Sequence, residues 1–346
     1  MAQIHRESKT GDSVQLNMIH GTHYQALSSD EFTNGKIWGP WLWYLNDGSK
    51  IDAARRAMQE EDAWPYKWFK EDSYQSRGSI QGKLVLSDGR PASGAAVFLG
   101  DNHSNLTTLD QGKGYYYTVY ADEEGGFRIN NVRTGTYGLQ AWSNGGVIAD
   151  VKTYFIENDI KITEGKTHEL KTLKWKVTDP KSHVFQIGAV DRKTLGFNLS
   201  DPTPFEHGRI ARCPANLTFI IGASRENDWC FGQSALGTWT IFFPFSLGKP
   251  AIKSLKLIVS LAGFSSGSSA DILLNTVKVG NITTNSVLLP SSQDTYRGAT
   301  RAGEWHLLEF PIDGEILNEG QNALDFTITK YTLWRGWLWD SIILLE

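Results

Sequence analysis

The sequence predicts an all-β protein of more than one domain. Three observations carry this. From about residue 78 to the end, short apolar segments recur with turn residues between them. Helical periodicity is convincing only over 51–62. The composition is aromatic- and glycine-rich and poor in charge, with 13 Trp, 12 Tyr, 34 Gly and 21% charged residues. At roughly 150 residues per domain, 346 residues give a prior of two or three domains. With 40% hydrophobic residues the chain can bury real cores. A net charge of −4 argues against a nucleic-acid partner, which would be held through phosphate contacts. No run of about 18 apolar residues occurs, so no membrane span is expected.

The first segment, 1–75, is incomplete by its own logic. Residues 14–19 and 37–45 read as strands, and 51–62 reads as a helix with apolar Ile51, Ala54 and Met58. Asp52 sits in its first turn, where the helix dipole favours an anion. Two or three strands and one helix cannot close a sandwich, so the segment reads as the end of a larger domain. The second segment, 76–178, reads as a small β-sandwich. Strands are expected at 79–86, 95–100, 115–121, 126–130, 135–142 and 151–156. The turns between them include Ser87-Asp88-Gly89-Arg90-Pro91 and Asp122-Glu123-Glu124-Gly125. Asp179-Pro180 marks the next boundary. The third segment, 179–346, suits a jelly roll, with strands at 239–245, 254–261, 271–279, 305–312, 321–330 and 337–345.

Standard catalytic motifs such as G-x-S-x-G, the P-loop and H-E-x-x-H are absent from the sequence. Two places remain for chemistry. In Met18-Ile19-His20-Gly21-Thr22-His23-Tyr24, two imidazoles and a phenol stand where a strand enters a polar loop. Imidazole titrates nearest neutral pH and suits acid/base work. On a continuing strand His20 and His23 face opposite sides, so they are no shared metal pair. The other place is Trp334-Arg335-Gly336-Trp337-Leu338-Trp339-Asp340, where Trp337 and Trp339 share a face at period two. It reads as a sugar-stacking platform with Arg335 and Asp340 as polar contacts, or as an apolar strand closing a core. Asp191/Arg192 and Asp228/Trp229 read the same two ways, as loop ligands or as turn and cap residues.

Cys213 and Cys230 form either one disulfide, in a secreted setting, or two buried thiols. N-x-[ST] triplets at Asn105, Asn198, Asn216 and Asn281 lean toward an extracellular protein. Met1 to Thr10 contains no apolar h-region, so no signal peptide is read there. Acidic oxygens for Ca²⁺ exist, but no D-x-[DN]-x-[DN]-G loop does, so no cofactor and no metal site are expected.

Several stretches together carry a family resemblance. They are Leu16-Asn17-Met18-Ile19-His20-Gly21-Thr22-His23-Tyr24, Trp38-Gly39-Pro40-Trp41 and Tyr44-Leu45-Asn46. In the middle of the chain they are Gly78-Ser79-Ile80-Gln81-Gly82, Gly94-Ala95-Ala96-Val97, Asp122-Glu123-Glu124-Gly125-Gly126-Phe127 and Val132-Arg133-Thr134-Gly135-Thr136-Tyr137. Toward the end they are Ile187-Gly188-Ala189-Val190-Asp191-Arg192 and Asp228-Trp229. Together these resemble polysaccharide lyase family 4, the rhamnogalacturonan lyases, and the resemblance covers essentially the whole chain.

It implies three parts: the end of a galactose-mutarotase-like catalytic β-sandwich, a fibronectin-III- or transthyretin-like sandwich, and a carbohydrate-binding-module-like jelly roll. The implied reaction is β-elimination at the rhamnose-α-1,4-galacturonate bond of pectic rhamnogalacturonan I, leaving a 4,5-unsaturated uronate. The implied partner is that polysaccharide, with no nucleic acid and no membrane. The implied protein is a secreted monomer. His23 matches the family's base best, His20 is second, and Tyr24 would orient the ring or the substrate. Trp229, Trp334, Arg335, Trp337, Trp339 and Asp340 are the expected carbohydrate contacts. The family's Lys and most of its carboxylate-binding residues lie upstream of the matched stretch and have no counterpart here. The alternative is therefore a pectin-binding protein without activity.

Overall fold

The computed structural model describes residues 4–5, 14–15, 35–37, 39–40, 42–102, 114–178, 183–200, 208–246, 254–283, 295 and 305–346. Strands β1 (Ile4–His5) and β2 (Val14–Gln15) pair antiparallel. The chain forms two compact units. One is Ser28–Thr178; the other joins Met1–Leu27 to Asp179–Glu346.

In the unit Ser28–Thr178, helix α1 spans Lys50–Ala63. Ser49 caps it, its Oγ accepting from the Asp52 amide at 3.2 Å. The helix buries none of its residues, and its apolar Ile51 and Met58 stand in solvent. The described residues of 37–45 form no strand, contrary to expectation. Pro40 supplies no N–H there, and Leu42, Trp43, Tyr44 and Leu45 are exposed, without a partner edge or a core beneath them. A short helix α2 (Asp72–Gln75) then buries Tyr74. Arg77 lies over the rings of Trp64 and Tyr74, and Arg133 over Tyr74 and Tyr115, at 4.0 to 5.0 Å. This alternation of rings and guanidinium groups ties the segment before the strands to the sandwich.

Seven strands follow: β3 (Arg77–Leu86), β4 (Ala96–Gly100), β5 (Tyr117–Tyr120), β6 (Gly126–Arg133), β7 (Gly135–Trp142), β8 (Tyr154–Ile162) and β9 (Thr167–Trp175). They form a three-stranded sheet, β6-β3-β9, and a four-stranded sheet, β5-β4-β7-β8. Ile80, Leu84, Leu99, Leu139 and Trp175 are fully buried in the core of this sandwich. The Asp122–Gly125 turn is fixed by the Asp122 carboxylate, which accepts from the amides of Glu124 and Gly126 at 2.9 and 2.7 Å. Gly125 adopts φ +79°, and a Cβ there would lie 2.3 Å from the Leu84 carbonyl, so only glycine fits. Strand β9 was not foreseen. Three residues of its Thr-His-Glu-Leu-Lys-Thr-Leu-Lys-Trp pattern are charged, and a register shift breaks its alternation.

The second unit has ten further strands: β10 (His183–Gly188), β11 (Leu217–Ile220), β12 (Gly232–Gln233), β13 (Thr238–Phe245), β14 (Ser254–Phe264), β15 (Ser269–Leu274), β16 (Val277–Ile282), β17 (His306–Asp313), β18 (Gly320–Lys330) and β19 (Trp337–Leu345). One sheet runs β10-β19-β14-β17, with β12 also on β19; the other runs β11-β13-β18-β15-β16. The core between them is continuous and aromatic. The segment 271–279, read as one strand, is instead a hairpin. Asn275 and Thr276 take φ 49° and 72°, a two-residue turn of the kind that matches strand twist. Asn275 holds it by donating to the Ile316 carbonyl at 2.8 Å. Cys213 and Cys230 are joined by a disulfide, which settles the two readings of that pair.

Cys213 and Cys230 are 17 residues apart and both are buried. Replacing both by Ser is expected to cost the second unit about 3 kcal/mol, the chain-entropy value for a loop of this size. Urea unfolding followed by Trp fluorescence measures it. An unchanged midpoint would show that the bridge does not constrain the unfolded chain.

Candidate carbohydrate-binding site

The three expected catalytic residues, His20, His23 and Tyr24, lie outside the described residues. The carbohydrate candidates are all described, and the structure separates them into two groups.

Trp229, Trp337 and Trp339 are core residues with 0% exposure, which corrects the stacking-platform expectation. Trp229 meets Trp239 and Trp339 edge to face at 4.9 and 5.5 Å. Phe326 closes on Trp339 at 5.0 Å. Every residue of β19 is buried, because the strand runs between β10 and β14 with its Trp face turned into the sandwich. A sugar ring cannot reach these indoles without opening the core. Of the two earlier readings of this strand, the core-closing one holds. Asp228 serves a local turn, its carboxylate accepting from the Arg225 amide at 2.8 Å.

Asp340 is also removed from the surface, with 1% exposure. Its Oδ1 accepts from the amides of Asp191 and Lys193 at 3.0 and 3.2 Å. Its Oδ2 accepts from the Ser260 hydroxyl, which in turn accepts from Trp305 Nε1 at 2.8 Å. Arg192 covers the Trp305 ring at 4.1 Å. Burial pushes the Asp340 carboxyl up to about 7, with the nearby Asp191 charge adding to the effect. Burial raises Asp191 as well, and raises Glu226, where the Asp191 charge contributes. Asp191 and Arg192 thus work inside the fold. Ser260, Trp305 and Glu226 were missed in the sequence. The available signal was a polar residue inside an apolar run, Ser260 in β14 and Asp340 in β19.

Trp334 and Arg335 remain, in the loop between β18 and β19. Trp334 takes φ 61° and packs half-buried on the edge of the core. Gly208 makes room for it: a Cβ there would lie 2.4 Å from the indole. The loop is held in place by neighbouring loops. Ser234 Oγ donates to the Arg335 carbonyl at 2.5 Å, Thr332 Oγ1 to the Gly267 carbonyl at 2.6 Å, and the Ser265 amide to the Gly336 carbonyl at 2.7 Å. Tyr331, Leu333 and Leu236 are exposed around it. An aromatic edge beside a guanidinium on a braced loop suits a ring-shaped ligand with an acidic group. Among the described residues no His, Cys, Asp and Glu cluster could hold a metal ion.

Two family models match the chain. Residues 87–170 match polysaccharide lyase family 4, domain II, and residues 183–344 match the carbohydrate-binding-module-like domain III of the same family. The chain belongs to polysaccharide lyase family 4. A family relative from Dickeya dadantii, a rhamnogalacturonate lyase, is 28% identical over 97% of this chain and 56% of its own length. This chain spans about half the length of the curated relatives it matches. Two solved structures are also similar. A family 35 carbohydrate binding module from an environmental isolate is 15% identical over 34% of this chain and 67% of that chain, with a TM-score of 0.21. One from Clostridium thermocellum is 18% identical over 30% and 68%, with a TM-score of 0.19.

Two outcomes follow from this family member's geometry. Trp339→Ala opens a cavity in the aromatic core and is expected to cost about 3–5 kcal/mol of stability. Trp334→Ala is expected to weaken saccharide binding with a smaller loss of stability. Urea melts beside affinity electrophoresis separate the two, and a reversed ranking would return the platform to β19.

The acidic group makes a pH prediction. In the folded chain Asp340 stays protonated up to about 7, whereas an unfolded Asp ionises near 4. Stability from the neutral form is full below the ordinary carboxylate range and is lost as pH rises through the folded value. Asp191 and Glu226 shift in the same direction. The second unit is expected to lose stability on the order of a few kcal/mol between pH 5 and pH 8. Thermal melts of the wild type and of Asp340→Asn, which stays neutral, measure this. Equal slopes in the two proteins would refute it.

Proposed function

We propose that this chain acts on rhamnogalacturonan I by β-elimination, with the second unit holding the pectic chain. The observation that carries the reading is the paired match to domains II and III of one lyase family, in order along the chain. The chemistry is removal of the C5 proton of galacturonate, α to its carboxylate. The electron pair forms the C4=C5 double bond, the C4–O4 bond breaks, and O4 leaves with the rhamnose and takes up a proton. The intermediate charge develops on the carboxylate and needs neighbouring cations. His23 is assigned the base by its place in Gly21-Thr22-His23-Tyr24, with His20 the second choice and Tyr24 orienting. Trp334 and Arg335 would contact the polymer away from the reacting bond.

Export from the cytoplasm belongs to the same reading. The Cys213–Cys230 disulfide supports it, because such bonds persist in oxidising compartments. Among the described residues no helix is long and apolar enough to cross a membrane.

A second reading is a pectin-binding protein without activity. It is favoured by the identity of the matched models, which are those of domains II and III. One experiment decides between the two. The purified chain is incubated with rhamnogalacturonan I while the absorbance of the conjugated uronate is followed. A rise is expected, and His23→Ala is expected to slow it by roughly 10²–10⁴, the span of general base catalysis. A flat trace with retained binding would establish the second reading. A flat trace with no binding would overturn both.

A further inference from the structure

We propose that the exposed face of the sheet β6-β3-β9 is a second saccharide-binding groove, built for an acidic oligosaccharide. The groove is open to solvent, has a volume of about 670 Å³ and lies wholly within the unit Ser28–Thr178. That volume is within the range of small-ligand sites.

The groove is organised as cross-strand rungs. In the first, Arg128, Gln81 and Glu169 stand side by side on β6, β3 and β9, as the register places them. The Gln81 amide donates to Glu169 Oε1 at 2.7 Å, and its own carbonyl oxygen accepts from Arg128 Nη1. Arg128 Nε donates to Asn130 at 2.7 Å. These bonds hold three planar groups in fixed rotamers. The second carboxylate oxygen of Glu169 and the second terminal nitrogen of Arg128 are left to meet a ligand. Such groups lose little entropy when they bind.

In the next rung Lys83 stands between Gly126 and Thr172. Gly126 presents no side chain, and the Asp122 carboxylate fills the space a Cβ would take, 2.7 Å from it, so this acid also lines the groove. Lys83 pairs only loosely with the exposed Glu124, at 3.5 Å, an interaction worth little in water. The register shift in β9 sets Leu170 and Lys171 against Gly82 alone. A Cβ on Gly82 would lie 3.0 Å from Leu170 and from the Phe127 ring, so the floor is built by close approach. Such a bulge re-aims a side chain, here the exposed Lys171. At one wall Tyr120 is 62% exposed, a large ring with no core to serve.

The combination selects the ligand class. An exposed ring offers a stacking face to a pyranose. The amide–carboxylate pair meets hydroxyls. Lys83, Lys171 and Arg128 supply cations for a carboxylate. A short run of uronates satisfies all three. The proposal rests on the pectic reading above for its polymer, and it adds a contact on a different unit.

The test is calorimetry of the full chain with tetragalacturonate, beside the neutral β-1,4-galactotetraose. Binding of the acidic probe alone is expected, weakening as salt rises. Tyr120→Ala is expected to lower affinity about tenfold, and Lys171→Glu at least as much. Both positions are exposed, and thermal melts check that the fold is kept. No binding of tetragalacturonate at millimolar concentration would overturn the proposal. So would equal affinity for the neutral probe, or unchanged affinity in both variants. Unsaturated product from rhamnogalacturonan I is read in a separate assay, so the groove can fail while the lyase reading stands.

Discussion

The second unit depends on β19. The strand is hydrogen-bonded on both sides, to β10 and β12 on one and to β14 on the other, and its nine residues are all buried. An interior strand with both faces covered has no solvent side, so it reads as an apolar run instead of an alternation. Its Trp337 and Trp339 then become the packing units around which Trp229 and Phe326 are arranged edge to face and Trp239 stacked. Aromatic burial on this scale dominates a small core.

That constraint pushes recognition elsewhere. A sandwich whose richest aromatic strand is spent on its core can offer a saccharide only loops and outer faces. On the reading proposed above, the loop leading into β19 would do this with Trp334 and Arg335, in a loop held by hydrogen bonds to its neighbours. Loops positioned on a rigid sheet are where binding residues usually collect. The unit Ser28–Thr178 solves the same problem differently, on a sheet face whose polar rungs are locked by one another.

The all-β class, the helix over 51–62 and most strands of both sandwiches were legible in the sequence, because alternation and turn residues are local signals. The strand expected at 37–45 is not formed by its described residues: apolar side chains are there, but among the described residues no sheet edge receives them, and partnering is not local. Strand β9 escaped because charged residues and a bulge mask its period. The hairpin at Asn275-Thr276 was hidden because Thr seldom takes a positive φ. At the candidate sites, aromatic and charged residues were visible but their environment was not. Trp337 and Trp334 look alike in sequence; one is sealed inside and the other lies at an edge.

The same holds for the carboxylates, and there the difference is chemical. Asp340 and Glu169 are both acids next to partners. Asp340 sits in a dry interior where its nearest charge is another carboxylate, so its neutral form is the one the fold favours. A neutral, enclosed acid braces backbone amides and cannot present a charge to a ligand. Glu169 is exposed and held by one amide from Gln81. It keeps its orientation and one oxygen for a ligand. Charge in the sequence marks both positions equally. Only the depth of each group and the sign of its neighbour separate a structural brace from a binding contact.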